Sequence, residues 1–197
     1  MNILVVYTHP NKESLNYAFL QHVLDGCNSN ENVKEVRVID LYAEGFDPLL
    51  QFNKTKQRSK MNEDPKLEPH RELVKWANKL VFVYPIWWGR PPAMLLGLFD
   101  QLFAKDFAYR YTKKHWLLPE GLLKGKSVVC ISTMQGPSIY STIWLRNAHK
   151  VLMRKAVFNF IGIKRVKFFE FGNMESVRGK HHKKLNKVLN YFSKVAY

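Results

Sequence analysis

The sequence predicts an α/β domain: a doubly wound, five-stranded parallel sheet in the order 2-1-3-4-5, with helices on both faces. Two observations carry this. Short apolar runs alternate with segments of helical periodicity along the whole chain, the pattern of repeated βαβ units. Several of those runs, such as Leu80-Val81-Phe82-Val83 and Val128-Val129-Cys130-Ile131, are continuously apolar rather than alternating, as strands covered on both faces are.

In chain order, residues 2–7 read as the first strand and 14–24 as an amphipathic helix. Residues 33–40 alternate apolar with charged positions, which suits a strand nearer a sheet edge. Residues 41–66 are broken by Phe46-Asp47-Pro48 and Asp64-Pro65 and hold a short helix. A helix over 67–79, the central strand over 80–84 and a helix over 92–105 follow. An irregular aromatic stretch to Lys124 precedes the strand at 126–132. Residues 140–160 carry helical patterning, 165–171 a last strand and 176–195 a terminal helix. With no repeat or linker, residues 1–197 read as a single domain.

Composition bounds the function. No apolar run is long enough to cross a bilayer, and the start of the chain is a core strand rather than a signal peptide, so a cytoplasmic protein is expected. Cys27 and Cys130 are too few for a disulfide framework, and Cys130 reads as a buried thiol. The net charge of +15 raises the question of nucleic acid. The basic residues are dispersed, with local concentrations at 54–60, at Lys113-Lys114 and at 178–187, and none carries the interleaved aromatics of a single-strand binder. The expectation is no nucleic acid. His181-His182 lack acidic or cysteine neighbours, and no metal site is expected.

Three loops converge at the carboxyl ends of the first, third and fourth strands, where open parallel sheets bind ligands. The second, Tyr84-Pro85-Ile86-Trp87-Trp88-Gly89-Arg90-Pro91-Pro92, presents two indoles from a stiff loop, a shelf for a flat aromatic cofactor. The first runs from Thr8 and His9 through Ser14, Leu15 and Asn16 into a helix, whose N-terminus favours an anion. It has neither a glycine-rich dinucleotide fingerprint nor a phosphate-loop motif. The third, Ser132-Thr133-Met134-Gln135-Gly136-Pro137-Ser138-Ile139-Tyr140, supplies a polar rim. A phosphate clamp, an aromatic shelf and polar donors are what a flavin mononucleotide unit needs.

His9 with Ser14 to Ala18, Asp40-Leu41-Tyr42, Phe46-Asp47-Pro48, Tyr84-Pro85 through Pro92-Ala93, Gly97 with Phe99, Phe107 to Tyr111, and Tyr140-Ser141 form a long collinear series. In these residues the chain resembles the NAD(P)H:quinone oxidoreductase family of flavodoxin-like flavoproteins, over nearly its whole length and in the compact bacterial form. The resemblance implies a flavin (FAD or FMN), NAD(P)H as hydride donor and a quinone acceptor, used in turn in a ping-pong scheme. It implies that His9, Ser14, Leu15 and Asn16 hold the phosphate, and that Pro85, Ile86, Trp87, Trp88 and Gly89 line the ring. Ser132, Thr133, Met134 and Gln135 would approach the pyrimidine end. Tyr140 would stabilise the reduced ring, and Trp88 would wall the substrate pocket. Tyr109 and Tyr111 would close over the substrate from the partner of a homodimer. Nitro or azo compounds, or free flavin, are alternative acceptors. A different class of alternative is a regulatory flavoprotein of a potassium-efflux transporter, for which the basic surface would suit contact with a membrane.

Two positions depart from the family pattern. Met134-Gln135 stand where a glycine pair is common, and Arg146 stands where animal members have a histidine. His149 follows one helical turn later, and both Arg146 and His149 read as members of a surface helix face.

Overall fold

The computed structural model describes residues 1–54, 57–112, 119–174 and 181–196. Its sheet has five parallel strands: β1 (Asn2–Tyr7), β2 (Glu35–Asp40), β3 (Lys79–Pro85), β4 (Ser127–Thr133) and β5 (Arg165–Phe171). They lie in the order β2-β1-β3-β4-β5. This is the expected order, and the chain reverses direction across the sheet between β1 and β3.

Alternation along the strands divides the apolar residues between two cores. Leu4, Val6, Leu80, Phe82, Tyr84, Val128 and Cys130 face one side. Ile3, Val5, Tyr7, Val81, Val83, Val129 and Ile131 face the other. A one-residue slip in any pair would exchange the two sets, but with both faces apolar the register is held chiefly by which side chains fit which helices. Helices α1 (Leu15–Asn28) and α5 (His182–Phe192) cover the second face together, burying Phe19, Leu20 and Val23 from one and Leu185, Val188 and Phe192 from the other. The first face is covered by α2 (Glu68–Trp76), by α3 (Ala93–Leu102) and by the segment 140–163. No helix among the described residues is long and apolar enough to cross a membrane.

Three local readings are corrected. Residues 140–160 are not one regular helix. They form a π-helical turn Tyr140–Trp144, a break in which Arg146 and Asn147 take positive φ, a short α4 (Ala148–Val151) and a second π-helical stretch Leu152–Phe158. Each π-helical stretch is only five to seven residues long, about one turn, too short for hydrophobic spacing to reveal its wider winding. The helix expected over 67–79 ends at Trp76, because Lys79 already belongs to β3. The aromatic stretch after α3 contains a small ribbon, Tyr109–Arg110 against Glu120–Gly121. Residues 176–180 of the expected terminal helix lie outside the described residues, as do Lys113 and Lys114.

Both cysteines are buried, and burial pushes each thiol up to about 12, so neither is a reactive thiolate at neutral pH. The Phe46-Asp47-Pro48 turn is held against α3 by close backbone approach. A Cβ on Gly97 would stand 2.3 Å from the Pro48 carbonyl oxygen, and the Gln101 side-chain amide donates to the Asp47 carbonyl at 2.7 Å. Gly97→Ala is therefore expected to destabilise the fold by about 1–3 kcal/mol through overpacking against backbone. Thermal unfolding checks this; a melting temperature within 1 °C of wild type, by the ~2–4 °C per kcal/mol expected at this size, would contradict the contact.

Candidate functional site

The carboxyl ends of β1, β3 and β4 open into a cavity of about 540 Å³. The expected residues that line it are His9, Ser14, Leu15, Asn16, Pro85, Ile86, Trp87, Trp88, Thr133, Met134 and Gln135. Three loops spread over more than a hundred residues of sequence thus meet around one space. Direct bonds hold them together. The Asn16 side-chain amide donates to the Thr133 hydroxyl at 2.9 Å, both residues being buried, and the Ile86 N–H donates to the Thr133 carbonyl at 2.7 Å.

The first loop is organised by Ser14, the N-cap of α1, whose hydroxyl accepts from the Tyr17 N–H at 3.2 Å and lies 3.3 Å from the Tyr7 hydroxyl. Beyond this cap the first-turn N–H groups of Leu15 and Asn16 have no intrahelical partner by construction, and they face the cavity end. The His9 Nδ1 lies 3.0 Å from the Asn11 N–H and 3.1 Å from the Asn11 carbonyl oxygen, so Asn11 holds the ring whether Nδ1 accepts or donates. Partial burial lowers the His9 pKa, against a smaller opposing effect of the Asn11 carbonyl. The ring lies 6.1 Å from that of Trp87.

The tryptophan segment is a tight hairpin. Trp87 and Arg90 exchange two backbone hydrogen bonds, at 3.0 and 3.2 Å, while the two residues between them, Trp88 and Gly89, both have positive φ (53° and 70°). That is the backbone of a two-residue hairpin turn, and it demands glycine-like conformations at both positions. Gly89 meets the demand freely. Trp88 meets it under strain, and its side chain is 96% exposed at the cavity mouth. Among the described residues, almost nothing packs against this indole.

Several predicted residues do not reach the cavity. Ser132 is wholly buried and points to the opposite face of the sheet, in the lateral row Tyr84–Ser132–Glu170. The period of two decides this: Thr133 faces the cavity, so Ser132 cannot. Gly89 does not line it, because it packs beneath Leu145, whose Cδ1 would sit 2.9 Å from an added Cβ. Tyr140 is half-exposed on the π-helical turn outside the lining. Tyr109 packs on Phe160 and Tyr111 is exposed on the ribbon, both away from the chain's own cavity. The sequence reading missed Asn11, Glu13 and Met174, which also line the space. Asn11 and Glu13 lay within the first loop as read, whereas Met174 follows β5 and arrives only because its N–H donates to the Met134 carbonyl at 3.1 Å.

His149 also overturns its expectation. It is buried, not on a surface face: Nε2 lies 2.7 Å from the Tyr84 hydroxyl and Nδ1 lies 3.2 Å from Glu170. Glu170 further accepts from the Ser141 hydroxyl at 2.6 Å and pairs with Lys150 at 3.3 Å. Burial opposes the charge on this carboxylate, yet the bonds from His149, Ser141 and Lys150 outweigh it and hold the pKa below its ordinary value. Arg146, by contrast, is exposed in a left-handed conformation.

The family model for the flavodoxin-like fold matches residues 1–195. The chain belongs to this family. Among solved structures it is similar to Smu.1420 from Streptococcus mutans UA159, with 37% identity, a TM-score of 0.89, and coverage of 99% of this chain and all of that one. It is 27% identical over 186 residues to an uncharacterized NAD(P)H oxidoreductase of Haemophilus influenzae, covering 93% of this chain and 89% of the relative. It is 28% identical over 155 residues to NAD(P)H dehydrogenase [quinone] 1 of Cavia porcellus, covering 70% of this chain and 55% of that enzyme. The chain thus spans about half the length of the mammalian relative.

Two outcomes are expected from this geometry. Trp88→Gly should raise stability by about 1 kcal/mol by relieving the left-handed strain, a gain of about 2–4 °C in melting temperature; a lower melting temperature would mean that the indole packs after all. Because the Glu170 pKa is depressed on folding, its stabilisation is present above the ordinary carboxylate range and is lost as pH falls through the folded value. Glu170→Gln should therefore be less stable at pH 7 and show a shallower acid decline than wild type. Urea midpoints from pH 7 to pH 3 measure this, and parallel curves would exclude it.

Proposed function

We propose that this protein is a flavin-dependent NAD(P)H oxidoreductase that reduces quinones. The observation that carries the reading is the joining of a helix N-terminus and an exposed indole pair around one cavity at the reversal point of the sheet. The named activities of the Haemophilus influenzae and Cavia porcellus relatives support it. So does the name of a further relative, an FMN-dependent NADH:quinone oxidoreductase of Bacillus subtilis.

The residues present fit the mononucleotide unit that FMN and FAD share. The N–H groups of Leu15 and Asn16, the Ser14 hydroxyl and the His9 imidazole form a donor set for a phosphate, with the positive end of the α1 dipole behind them. Among the described residues Glu13 is the one carboxylate in the lining, and it sits exposed at the rim. Trp87, Ile86 and Pro85 offer an apolar floor, and Thr133, Met134 and Gln135 bound the polar side. A bound flavin supplies the hydride chemistry at N5; the protein supplies binding and orientation. Trp88, exposed at the mouth, offers its indole face to a flat nicotinamide or quinone in turn.

A second copy of the chain completes the site in this reading. Ile139, Tyr140, Ile143 and Trp144 are all exposed on or beside the π-helical turn, and Trp88 adds to them across the Gly89–Leu145 contact. Exposed apolar surface of this kind marks an interface. Tyr109 and Tyr111 of the partner subunit, by the family resemblance, then cover the acceptor.

The decisive measurement is reconstitution. The purified protein should bind flavin, bleach on addition of NADH or NADPH without oxygen, and regain colour with a quinone. Chromatography of the released flavin separates FMN from FAD, and a panel of quinone, nitro and azo acceptors ranks the substrates. Trp88→Ala should lower kcat/KM for quinones by about 10–100-fold, the loss of one wall of the site, while flavin remains bound. A protein that takes up no flavin would end the proposal.

A further inference from the structure

Away from the cavity, on the other face of the sheet, polar groups are buried where the core is otherwise apolar. Tyr84, Ser132 and Glu170 are lateral neighbours across β3, β4 and β5, at the last turn of the sheet before the loops. His149 of α4 sits above them. The side chains of His149 and Glu170 are 2% and 4% exposed, and Tyr84 is wholly buried. The ionised Glu170 carboxylate can only accept, so the facing His149 Nδ1 carries the proton and donates. The other nitrogen, Nε2, is then an acceptor for the Tyr84 hydroxyl at 2.7 Å. The imidazole thus bridges two groups of opposite hydrogen-bonding character, which a hydrophobic core side chain cannot do.

The two ends of this bridge lead to different loops. Tyr84 is followed directly by Pro85 and the tryptophan hairpin. Glu170 holds the hydroxyl of Ser141, the neighbour of Tyr140 in the π-helical turn, and that turn presses Leu145 onto Gly89 of the hairpin. The turn has bonds of its own, the Ser141 and Thr142 hydroxyls donating to the Ser138 carbonyl at 3.0 and 3.2 Å and the Asn147 N–H to the Ser141 carbonyl at 2.8 Å, but its π-helical winding followed by two left-handed residues, Arg146 and Asn147, is intrinsically costly and Glu170 is what ties it to the sheet. A buried polar bridge is expensive unless fully satisfied, and it makes one arrangement of its neighbours much better than the alternatives.

We infer that His149 is a positioning residue: by joining Tyr84 to Glu170 and Ser141 it sets the tryptophan hairpin and the Tyr140 turn relative to one another at the mouth of the cavity. The consequence for turnover rests on the reading of that cavity as a flavin site; the positional role does not.

Three variants and three measurements test this. His149→Phe keeps a ring of similar size and removes both bonds, His149→Gln retains one donor and one acceptor, and the Tyr84→Phe/His149→Phe pair leaves no buried hydroxyl without a partner. Amide hydrogen exchange, read by mass spectrometry without any flavin, should rise about tenfold in both 86–90 and 138–145 for His149→Phe, local opening of the two segments the bridge joins. It should return toward wild type in His149→Gln. In the flavin-loaded enzyme, kcat should fall about tenfold with the KM for the nicotinamide within about twofold. The paired variant should recover thermal stability relative to His149→Phe without recovering kcat.

Unchanged exchange in either segment overturns the inference. A rise spread evenly over all five strands, or recovery of kcat together with stability in the paired variant, overturns it in favour of a purely structural role. A wild-type protein that binds no flavin sinks the reading of the cavity instead, and the exchange comparison still decides the role of His149.

Discussion

Everything at the candidate site depends on the parallel register of three strands. Because β1, β3 and β4 run in the same direction and end at the same level, the loops that leave them emerge side by side. Burial on both faces is what holds that arrangement. Each of the three must offer apolar side chains to two helical layers at once, one set to each core. The bonds from Ile86 and Asn16 to Thr133 then tie the three loops at their bases. A helix terminus and an aromatic hairpin become one cavity only through this register.

Three of the left-handed non-glycine residues stand at or beside the mouth of the cavity. Trp88 stands in a left-handed conformation at the tip of a hairpin, with its indole in solvent. Arg146 and Asn147 break the helical segment that packs beside it. Such conformations persist when the surroundings over-determine them. Here the surroundings are a glycine packed under Leu145 on one side and the polar group of Tyr84, His149 and Glu170 on the other. The rigid sheet holds the base of each loop, while a few local contacts aim its tip.

Among the described residues, the lining of the cavity carries one imidazole and one carboxylate but no lysine or arginine. In the proposed reading its donors to an anion are N–H groups and a hydroxyl at a helix terminus, which bind phosphate with a directionality that flexible ammonium groups lack.

What the sequence by itself determined is the strands and the three loops, which follow from local signals: apolar runs of strand length, a serine cap, and a Trp-Trp-Gly segment at a strand end. The choice of lining residues came through the family resemblance those loops carry. The tertiary structure decided which neighbour in a pair faces the cavity. Ser132 and Thr133 are equivalent as text, but the pleat sends one into the core and the other into the cavity. It also decided the fate of His149, which helical spacing placed among solvated residues. Its partners Tyr84 and Glu170 stand 65 and 21 residues away and meet it only when β3 and β5 are brought under the same helix. Long-range pairing of this kind leaves no periodic trace, because it depends on which strands become neighbours and not on the residues beside it in the chain.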